Sequence, residues 1–224
     1  MLLHGFHVGY SRKILHFSML FVPVAIDSAR GMSAGSSISL VNIFTNAVLT
    51  LGLLSLFREN LRQRFAFFEQ AFCSIDRPED RPYTLVWLVS QAAIAYLIMI
   101  IAVILISPPL LEPSLLIPLS VIAFGDGLAE PIGVRFGKHK YRTTALFSKN
   151  TYLRSIEGSL CVFVASILAV IWFRSHFTDY QFLILLLTLP ILMTITEAKS
   201  PHTWDTPFLL VVGISTIYSI NFFF

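Results

Sequence analysis

The stretch FGDGLAEPIGVRFGKHKY, from Phe124 to Tyr141, decides how this chain is threaded through a membrane. It directly follows LLIPLSVIA, an apolar run typical of a membrane-spanning helix. Asp126 and Glu130 then interrupt the apolar pattern, and a cluster of cations follows them. Charged side chains inside a span are costly and usually have a function. The stretch is therefore predicted to combine a membrane helix with a chemical site.

The composition is that of an integral membrane protein. Of the 224 residues, 55% are hydrophobic and only 13% are charged, whereas a soluble domain carries about 25% charged residues. The two cysteines, Cys73 in a charged segment and Cys161 in an apolar one, predict no disulfide framework. We expect an all-α polytopic chain that forms a single transmembrane domain over residues 1–224, with the motif-rich catalytic half at about 113–224.

Runs without charged residues predict about seven spans, since a spanning helix needs about 20 mostly apolar residues. The segment 14–29 is a weaker span because Asp27 lies near its end. Its alternative interpretation is a signal peptide, although no small-residue cleavage site follows. The segment 113–134 crosses only if its GDG sequence lies at membrane depth or at the mouth of a cavity. The five clear spans are 35–57, 84–107, 156–173, 181–197 and 207–223.

The distribution of lysine and arginine predicts the orientation of these helices. Loops rich in Lys and Arg remain on the cytoplasmic side. With seven spans, 14 of the 16 cations fall on one side, and only Arg30 and Arg174 fall on the other. We therefore expect a cytoplasmic N-terminus, in an inner or cytoplasmic-type membrane.

The unusual polar sequences all fall on the predicted cytoplasmic side. Polar chemistry gathered at one interface indicates a site that serves a soluble reagent and the adjacent lipid leaflet. The sequences are SRKILHF (11–17), SIDRPEDRPYTL (74–85), FGDGLAEPIGVRFGKHKY (124–141), YLRSIEGSL (152–160) and ITEAKSPHTWDTPF (195–208).

The chemistry of GDGLAE favours a metal–nucleotide site. Asp126 and Glu130 are four residues apart and share one face if the segment is helical. Two carboxylates near lipid favour Mg²⁺, and Gly125 and Gly127 let backbone approach a ligand closely. The alternative is a turn in which these acids pair with cations of the same segment. The predicted nucleotide-binding residues downstream are Gly133, Arg135, Gly137, Lys138 and Lys140.

Two later motifs add further acids. Glu157 begins a span, where it is either a metal or nucleotide contact or an acid favoured by the helix dipole. Arg154, three residues earlier, is a candidate to hold phosphate. Glu197 and Asp205 flank a loop that prolines make rigid. Either acid is a candidate to hold a metal or to accept a hydroxyl proton.

Three residues are candidate lipid or headgroup contacts. Arg77 and Arg81 are predicted to reach an anionic headgroup or phosphate. The alternative for their loop is a solvated segment whose charges pair with one another. His202 is predicted to be an interfacial hydrogen-bonding residue rather than a base.

The sequences GDGLAEPIGVRFGKHKY, SIEGSL and EAKSPHTWDTPF, in that order, resemble the polyprenol, phytol and dolichol kinase family. This family includes CTP-dependent diacylglycerol kinases and is distantly similar to phosphatidate cytidylyltransferases. The resemblance covers about residues 113–224 and is looser over 1–112, where RKILH matches an early RK..H pattern. It implies transfer of the terminal phosphate of CTP to the hydroxyl of a lipid alcohol, such as phytol, a polyprenol or diacylglycerol.

The resemblance also implies roles for individual residues. Asp126 would contact the nucleotide–Mg²⁺ unit, Lys138 the phosphates and Glu157 the metal, while Glu197 and Asp205 match the acidic positions of the closing motif. We therefore expect Asp126, Glu197 and Asp205 to be catalytic, and Asp126, Glu130 and Glu157 to bind metal. The expected partners are CTP and a lipid alcohol, with no nucleic acid.

Two alternatives remain open at this point. One is a cytidylyltransferase that makes a CDP-lipid and pyrophosphate, which needs the same metal, nucleotide and interfacial acceptor. The other is a non-enzymatic transporter or scaffold. Transporters often have interrupted helices in both halves, whereas here only the segment 113–134 is interrupted.

Overall fold

The structure is a computed structural model that describes residues 8–29, 31, 38–146, 151–201 and 204–224. These residues are mainly helical. The helices are α1 (Val8–Ala29), α2 (Leu40–Ser55), α3 (Glu59–Arg64), α4 (Ala66–Cys73), α5 (Thr84–Leu105), α6 (Pro108–Ser120), α7 (Gly127–Phe136), α8 (Ile156–Trp172), α9 (Asp179–Lys199) and α10 (Asp205–Phe223). Two short 3₁₀ turns lie at Pro78–Asp80 and Arg174–His176, and a π-helical turn, Val121–Asp126, joins α6 to α7.

Among the described residues, four helices are long and apolar enough to cross a membrane, which confirms the prediction of a helical membrane protein. Each of the seven predicted spans overlaps a helix of the described residues. α2 and α8 are apolar but shorter than the four. The number of seven spans and their orientation therefore stay predictions. The four long helices are Thr84–Leu105, Pro108–Phe136, Asp179–Lys199 and Asp205–Phe223.

The chain divides into two compact units, Met1–Leu97 and Ile98–Phe224. In the first unit, the region predicted as one loop, 58–83, contains α3, α4 and the first 3₁₀ turn. Ion pairs stabilise this region, since Arg12 Nη1 lies 2.5 Å from Asp80 Oδ2 and Arg81 Nε lies 2.6 Å from Asp76 Oδ2. The prediction of one transmembrane domain stays a prediction.

The second unit has a well-packed helical core. Side chains of α6, α8, α9 and α10 are fully buried, and α8 packs against α9, which in turn packs against α10. A Cβ atom added to Gly213 of α10 would lie 2.5 Å from a ring carbon of Pro118, so α10 packs closely on α6 at this glycine. The fully buried residues include Ile117, Val121, Ile122, Val162, Leu185, Leu189, Met193, Leu209 and Leu210.

A two-stranded antiparallel sheet lies between α7 and α8, where the sequence predicted only a basic loop. Strand β1 (Lys140–Thr144) pairs with β2 (Thr151–Ser155), with Lys140 opposite Ser155 and Thr144 opposite Thr151. The all-α prediction missed this hairpin because its cations were interpreted only as loop charges. Its sequences, KYRTT and TYLRS, are rich in the Tyr and Thr that favour strands.

Candidate functional site

The helix that begins at Pro108 continues through the GDG sequence to Phe136 and forms a π turn there, where the sequence predicted an interruption. Three prolines, Pro113, Pro118 and Pro131, each remove one N–H from the helical ladder. Between the last two of these prolines the helix widens into the π turn, and the N–H of Gly127 bonds to the carbonyl of Ile122 five residues back. Such π turns are frequent at functional sites.

Asp126 is the last residue of this π turn and is only 5% exposed. Its neighbour Gly125 packs on Val162, because an added Cβ would lie 3.0 Å from the Val162 Cα. Val162 lies six residues from the start of α8, which is about 9 Å along the helix axis. Asp126 therefore lies well inside the apolar part of the unit, and half-buried Glu130 lies one helical turn closer to the start of α8.

Small residues let α7 and α8 pack against each other in antiparallel directions. A Cβ added to Gly133 would lie 2.7 Å from the Ser155 Oγ, and one added to Gly158 would lie 2.7 Å from the Ala129 carbonyl oxygen. Gly125 and Gly133, predicted to let a nucleotide approach, therefore have a packing role in the structure. Their nucleotide contact, like that of buried Gly127, stays a prediction.

Glu157 is bonded to the loop that follows α7. Its Oε1 atom accepts hydrogen bonds from the backbone N–H of Lys138 at 3.0 Å and of His139 at 3.2 Å, and lies 2.9 Å from the Nδ1 atom of His139. Gly137 ends α7 just before this loop, where an added Cβ would lie 2.2 Å from the Gly133 carbonyl oxygen. The carboxylate predicted to bind metal therefore joins two motifs of the sequence.

Four cations around this loop are exposed and have no ion pair with an acid of the described residues. The alternative in which Asp126 and Glu130 are paired within their own segment stays open, since both acids have interactions of their own. Two of the cations lie on β1, on the face where Lys140 is opposite Ser155 and Arg142 is opposite Leu153. The four are Arg135, Lys138, Lys140 and Arg142.

The other face of the hairpin packs on the helices of the same unit. Arg154 of β2 forms an ion pair with Glu197 of α9, whose side chain is 4% exposed. The hydroxyls of Tyr141 and Ser159 lie 2.6 Å apart, joining β1 to α8. The residues predicted to bind nucleotide and to act in catalysis at these two positions, Arg154 and Glu197, are thus direct partners.

The end of α9 is tied to the same hairpin. The N–H of Leu146, just after β1, donates to the carbonyl oxygen of Lys199 at 2.8 Å. Asp205 begins α10, where its Oδ1 atom accepts the N–H of Thr206 at 2.9 Å. His202 lies outside the described residues. The closing motif therefore reaches the hairpin through Glu197 and Lys199.

The arginines predicted to contact headgroups lie in the first unit. Arg81 pairs with Asp76, and the hydroxyl of Thr84 donates to the second oxygen of the same carboxylate at 2.5 Å. Arg77 is only 8% exposed. Both observations favour the alternative interpretation, in which the loop pairs its own charges, and the headgroup contacts stay predictions.

The described residues contain no group of three or more His, Cys, Asp or Glu side chains arranged to hold a metal ion. The predicted set of Asp126, Glu130 and Glu157 is therefore not a preformed three-carboxylate cage, because Glu157 is engaged by backbone N–H groups. Mg²⁺ usually takes one or two carboxylates together with waters and substrate phosphates. Asp126 and Glu130 match this requirement for one or two protein carboxylates.

The sequence interpretation missed several residues of this site. His139 bonds to Glu157, Tyr141 bonds to Ser159, and Ser155 caps α8 by accepting the N–H of Gly158 at 3.1 Å. His139 stands directly beside Lys138 in GKHK, and Ser155 precedes a helix at a position typical of an N-cap. These signals were present but do not by themselves indicate partners 18 residues away.

Comparison with known proteins gives one partial similarity. The chain is 29% identical over 91 residues to a phytol kinase from Synechocystis sp. (strain ATCC 27184 / PCC 6803 / Kazusa). The matched part is 41% of this chain and 36% of that protein, so the similarity spans about a third of the relative. No protein-family model matches the chain. No solved structure matches it either.

Proposed function

We propose that the protein is a CTP-dependent lipid kinase, which transfers the terminal phosphate of the nucleotide to the hydroxyl of a membrane lipid alcohol. The acceptor class is an isoprenoid alcohol, such as phytol or a polyprenol, or diacylglycerol. The reaction takes place at the cytoplasmic interface, where the nucleotide is dissolved and the acceptor is anchored. The phytol kinase name of the partial relative supports the kinase class.

The observation that carries the proposal is the way in which the hairpin joins the three polar motifs. The loop that leads into the hairpin bonds to Glu157, and the second strand of the hairpin pairs with Glu197 through Arg154. The helix that carries Asp126 packs on α8, the helix that Glu157 begins. These contacts link acids that the sequence separates by up to 71 positions, and the four exposed cations lie at the end of α7, in the following loop and on the outer face of β1.

Phosphoryl transfer needs positioning and charge neutralisation more than covalent chemistry. Lys138, Lys140 and Arg142 would neutralise the phosphates of the nucleotide, since no acid among the described residues competes for them. Bound Mg²⁺ supplies further neutralisation of phosphate charge, and Asp126 and Glu130 are the residues that would hold it. Glu197 and Asp205 are the remaining candidates to accept the proton of the lipid hydroxyl.

The surroundings of Asp126 suit an acceptor that arrives from the bilayer. Phe124 and Leu128, two residues to either side, are 50% and 40% exposed on an otherwise apolar helix. Residues two apart point to opposite faces of a helix, so Phe124 and Leu128 form its lipid-facing side while Asp126 points into the unit, and the acceptor would pass this face to reach the carboxylate. We propose that the lipid enters sideways at this helix, and this explains why an acid interrupts the span.

The test uses purified full-length protein in detergent micelles with Mg²⁺ and two preparations of CTP, one labelled at the α- and one at the γ-phosphate. Phytol, farnesol, a dolichol, diacylglycerol and phosphatidate are offered separately, with ATP as the alternative donor. A kinase transfers only the γ-label into the organic phase. Transfer of the α-label to phosphatidate, with release of pyrophosphate, would instead identify a cytidylyltransferase, and transfer of neither label would contradict the proposal.

A further inference from the structure

The Glu157 carboxylate already accepts several hydrogen bonds, so few of its lone pairs are left for a metal ion. One oxygen, Oε1, receives two consecutive backbone N–H groups and lies within 2.9 Å of a histidine ring nitrogen. The second oxygen is 3.4 Å from the N–H of His139. Since charge-assisted hydrogen bonds to a carboxylate are about twice as strong as neutral ones, this carboxylate is committed to the backbone of residues 138 and 139.

The contacts of Glu157 act at the point where the chain leaves α7 and enters β1. Gly137 ends the helix, and the carbonyl oxygen of His139 accepts the N–H of Ile156 at 2.9 Å. The two residues held by Glu157 are followed directly by Lys140, the first residue of β1. The backbone bonds therefore set the position of Lys138 and the start of β1, the strand that carries Lys140 and Arg142.

We infer that Glu157 is a positioning residue: its carboxylate fastens the backbone of Lys138 and His139, and so holds the exposed cations in the arrangement that receives the phosphates. It acts through Lys138 and not as a ligand of Mg²⁺. The role of these cations in receiving phosphates rests on the proposed kinase function. The fastening of the loop by Glu157 does not, so each part has its own test.

Two conservative variants separate positioning from metal binding. Glu157→Gln keeps an oxygen at the same reach and loses the charge, so it can still accept the two backbone N–H bonds of Oε1. Glu157→Asp keeps the charge but is shorter by one methylene, so it cannot reach both N–H groups. A positioning residue tolerates Gln better than Asp, whereas a metal ligand tolerates Asp better than Gln, because Mg²⁺ prefers charged oxygen ligands.

The first experiment is limited trypsin digestion of the full chain in detergent, followed by mass spectrometry. Cleavage after Lys140 and Arg142 reports opening of the hairpin, and cleavage after Arg62 and Arg64 in the first unit provides an internal reference. Relative to that reference, we expect Glu157→Ala and Glu157→Asp to be cut about tenfold faster than wild type, as loss of charge-assisted bonds predicts.

Glu157→Gln should remain within about threefold of wild type in the same digestion, because its oxygen replaces Oε1. His139→Ala removes only the ring contact and keeps both backbone bonds, so it should also remain within about threefold. Equal cleavage of Glu157→Ala and wild type, or better protection in Glu157→Asp than in Glu157→Gln, would overturn the positioning role whether or not the protein is a kinase.

The second experiment measures transfer of the γ-phosphate as nucleotide and Mg²⁺ are varied independently. We expect the nucleotide KM to rise about tenfold in Glu157→Asp and less in Glu157→Gln, with kcat changed less than KM. The Mg²⁺ concentration for half-maximal transfer should be the same in Glu157→Gln and wild type. A higher Mg²⁺ requirement in Glu157→Gln with a normal digestion pattern would make Glu157 a metal ligand and overturn the inference.

Discussion

Two basic regions of this chain use their charges in opposite ways. In the first unit, two of the five arginines of the segment 58–83 form ion pairs within it, Arg81 with Asp76 and Arg62 with Glu69. In the second unit, the hairpin and the end of α7 leave four cations without an acidic partner among the described residues. Both regions look alike when cations are counted, so their pairing distinguishes a folded loop from a candidate binding site.

The acids of the two regions differ in the same way. Asp80 of the first unit lies 2.5 Å from Arg12 and is 7% exposed, which is a structural ion pair. Asp126 is equally buried but lies in a π turn whose neighbours two positions to either side, Phe124 and Leu128, are apolar and exposed. Substitution of each acid therefore tests whether the two regions have different roles.

The largest effect is expected for Asp126→Asn, which keeps the size of the side chain and removes its charge. We expect kcat/KM for phosphate transfer to fall about 1,000-fold, as for the loss of one well-placed electrostatic contact to a reacting group. Asp80→Asn is the matched control in the first unit and should lower the melting temperature but keep the activity of the folded fraction. Equal loss of activity in both variants would remove the distinction between the regions.

The next effect concerns the ion pairs. Arg154→Met leaves Glu197 buried without its arginine, and removal of one partner from a buried pair costs about 3 kcal/mol of stability. The exposed counterpart, Arg81→Met, should cost less than about 1 kcal/mol. Chemical denaturation in mild detergent, read by circular dichroism, measures both values, and similar costs would show that burial does not separate the two pairs.

The double variant Arg154→Met/Glu197→Leu separates stability from chemistry. Replacement of a buried ion pair by apolar residues is often close to neutral for stability, so the double variant should regain most of the loss. If Glu197 takes part in catalysis, phosphate transfer stays low despite this recovery. Recovery of activity together with stability would restrict Glu197 to a structural role.

A smaller effect is expected for single exposed cations. Lys138→Ala should raise the nucleotide KM about tenfold, because one charge-assisted contact to phosphate is worth about 1.5 kcal/mol. Arg64→Ala removes an equally exposed cation of α3 in the first unit and should leave this KM unchanged. Steady-state kinetics with varied nucleotide decides between them, and an equal rise in both variants would indicate a general effect of net charge.

The smallest effects concern glycine packing. Gly133→Ala places a methyl group 2.7 Å from the Ser155 Oγ and should destabilise the second unit by about 1–2 kcal/mol through overpacking. Gly52 of α2 has no atom within 4 Å of an added Cβ, so Gly52→Ala should be neutral or stabilise by about 0.5 kcal/mol. Thermal melts compare the two variants, and a destabilising Gly52→Ala would mean that α2 is packed more closely than the contacts indicate.

The positions of the apolar helices were predictable from the sequence because uncharged apolar runs of that length favour membrane spans, whereas α3 and α4 were not predicted. A departure from regular α-helix at the GDG sequence was also predictable, since Asp126 and Glu130 stand in an apolar segment, although the helix continues through it. The π form of this turn was not predictable, because it depends on hydrogen bonds between residues five apart in the chain, such as that from Gly127 to Ile122. The hairpin was not predicted because cations in segments as short as KYRTT and TYLRS are equally typical of a loop.

Most of the features that could not be predicted from the sequence are contacts between residues far apart in the chain. Glu157 was interpreted through its place at a helix start, whereas its hydrogen bonds go to residues 138 and 139. Arg154 and Glu197 were assigned separate roles, and their ion pair crosses 43 positions of the chain. Contacts of this kind depend on the packing of α8 against α7 and α9, which a linear pattern of residue types does not specify.

The most direct test of the account is transfer of phosphate from γ-labelled CTP to a lipid alcohol by proteoliposomes that contain either wild type or Asp126→Asn. Melting curves of both proteins establish that equal amounts are folded. The account predicts labelled lipid with wild type and at least about 100-fold less with Asp126→Asn. Equal labelling by both proteins, or no labelled lipid from folded wild type with any acceptor of the panel, would contradict it.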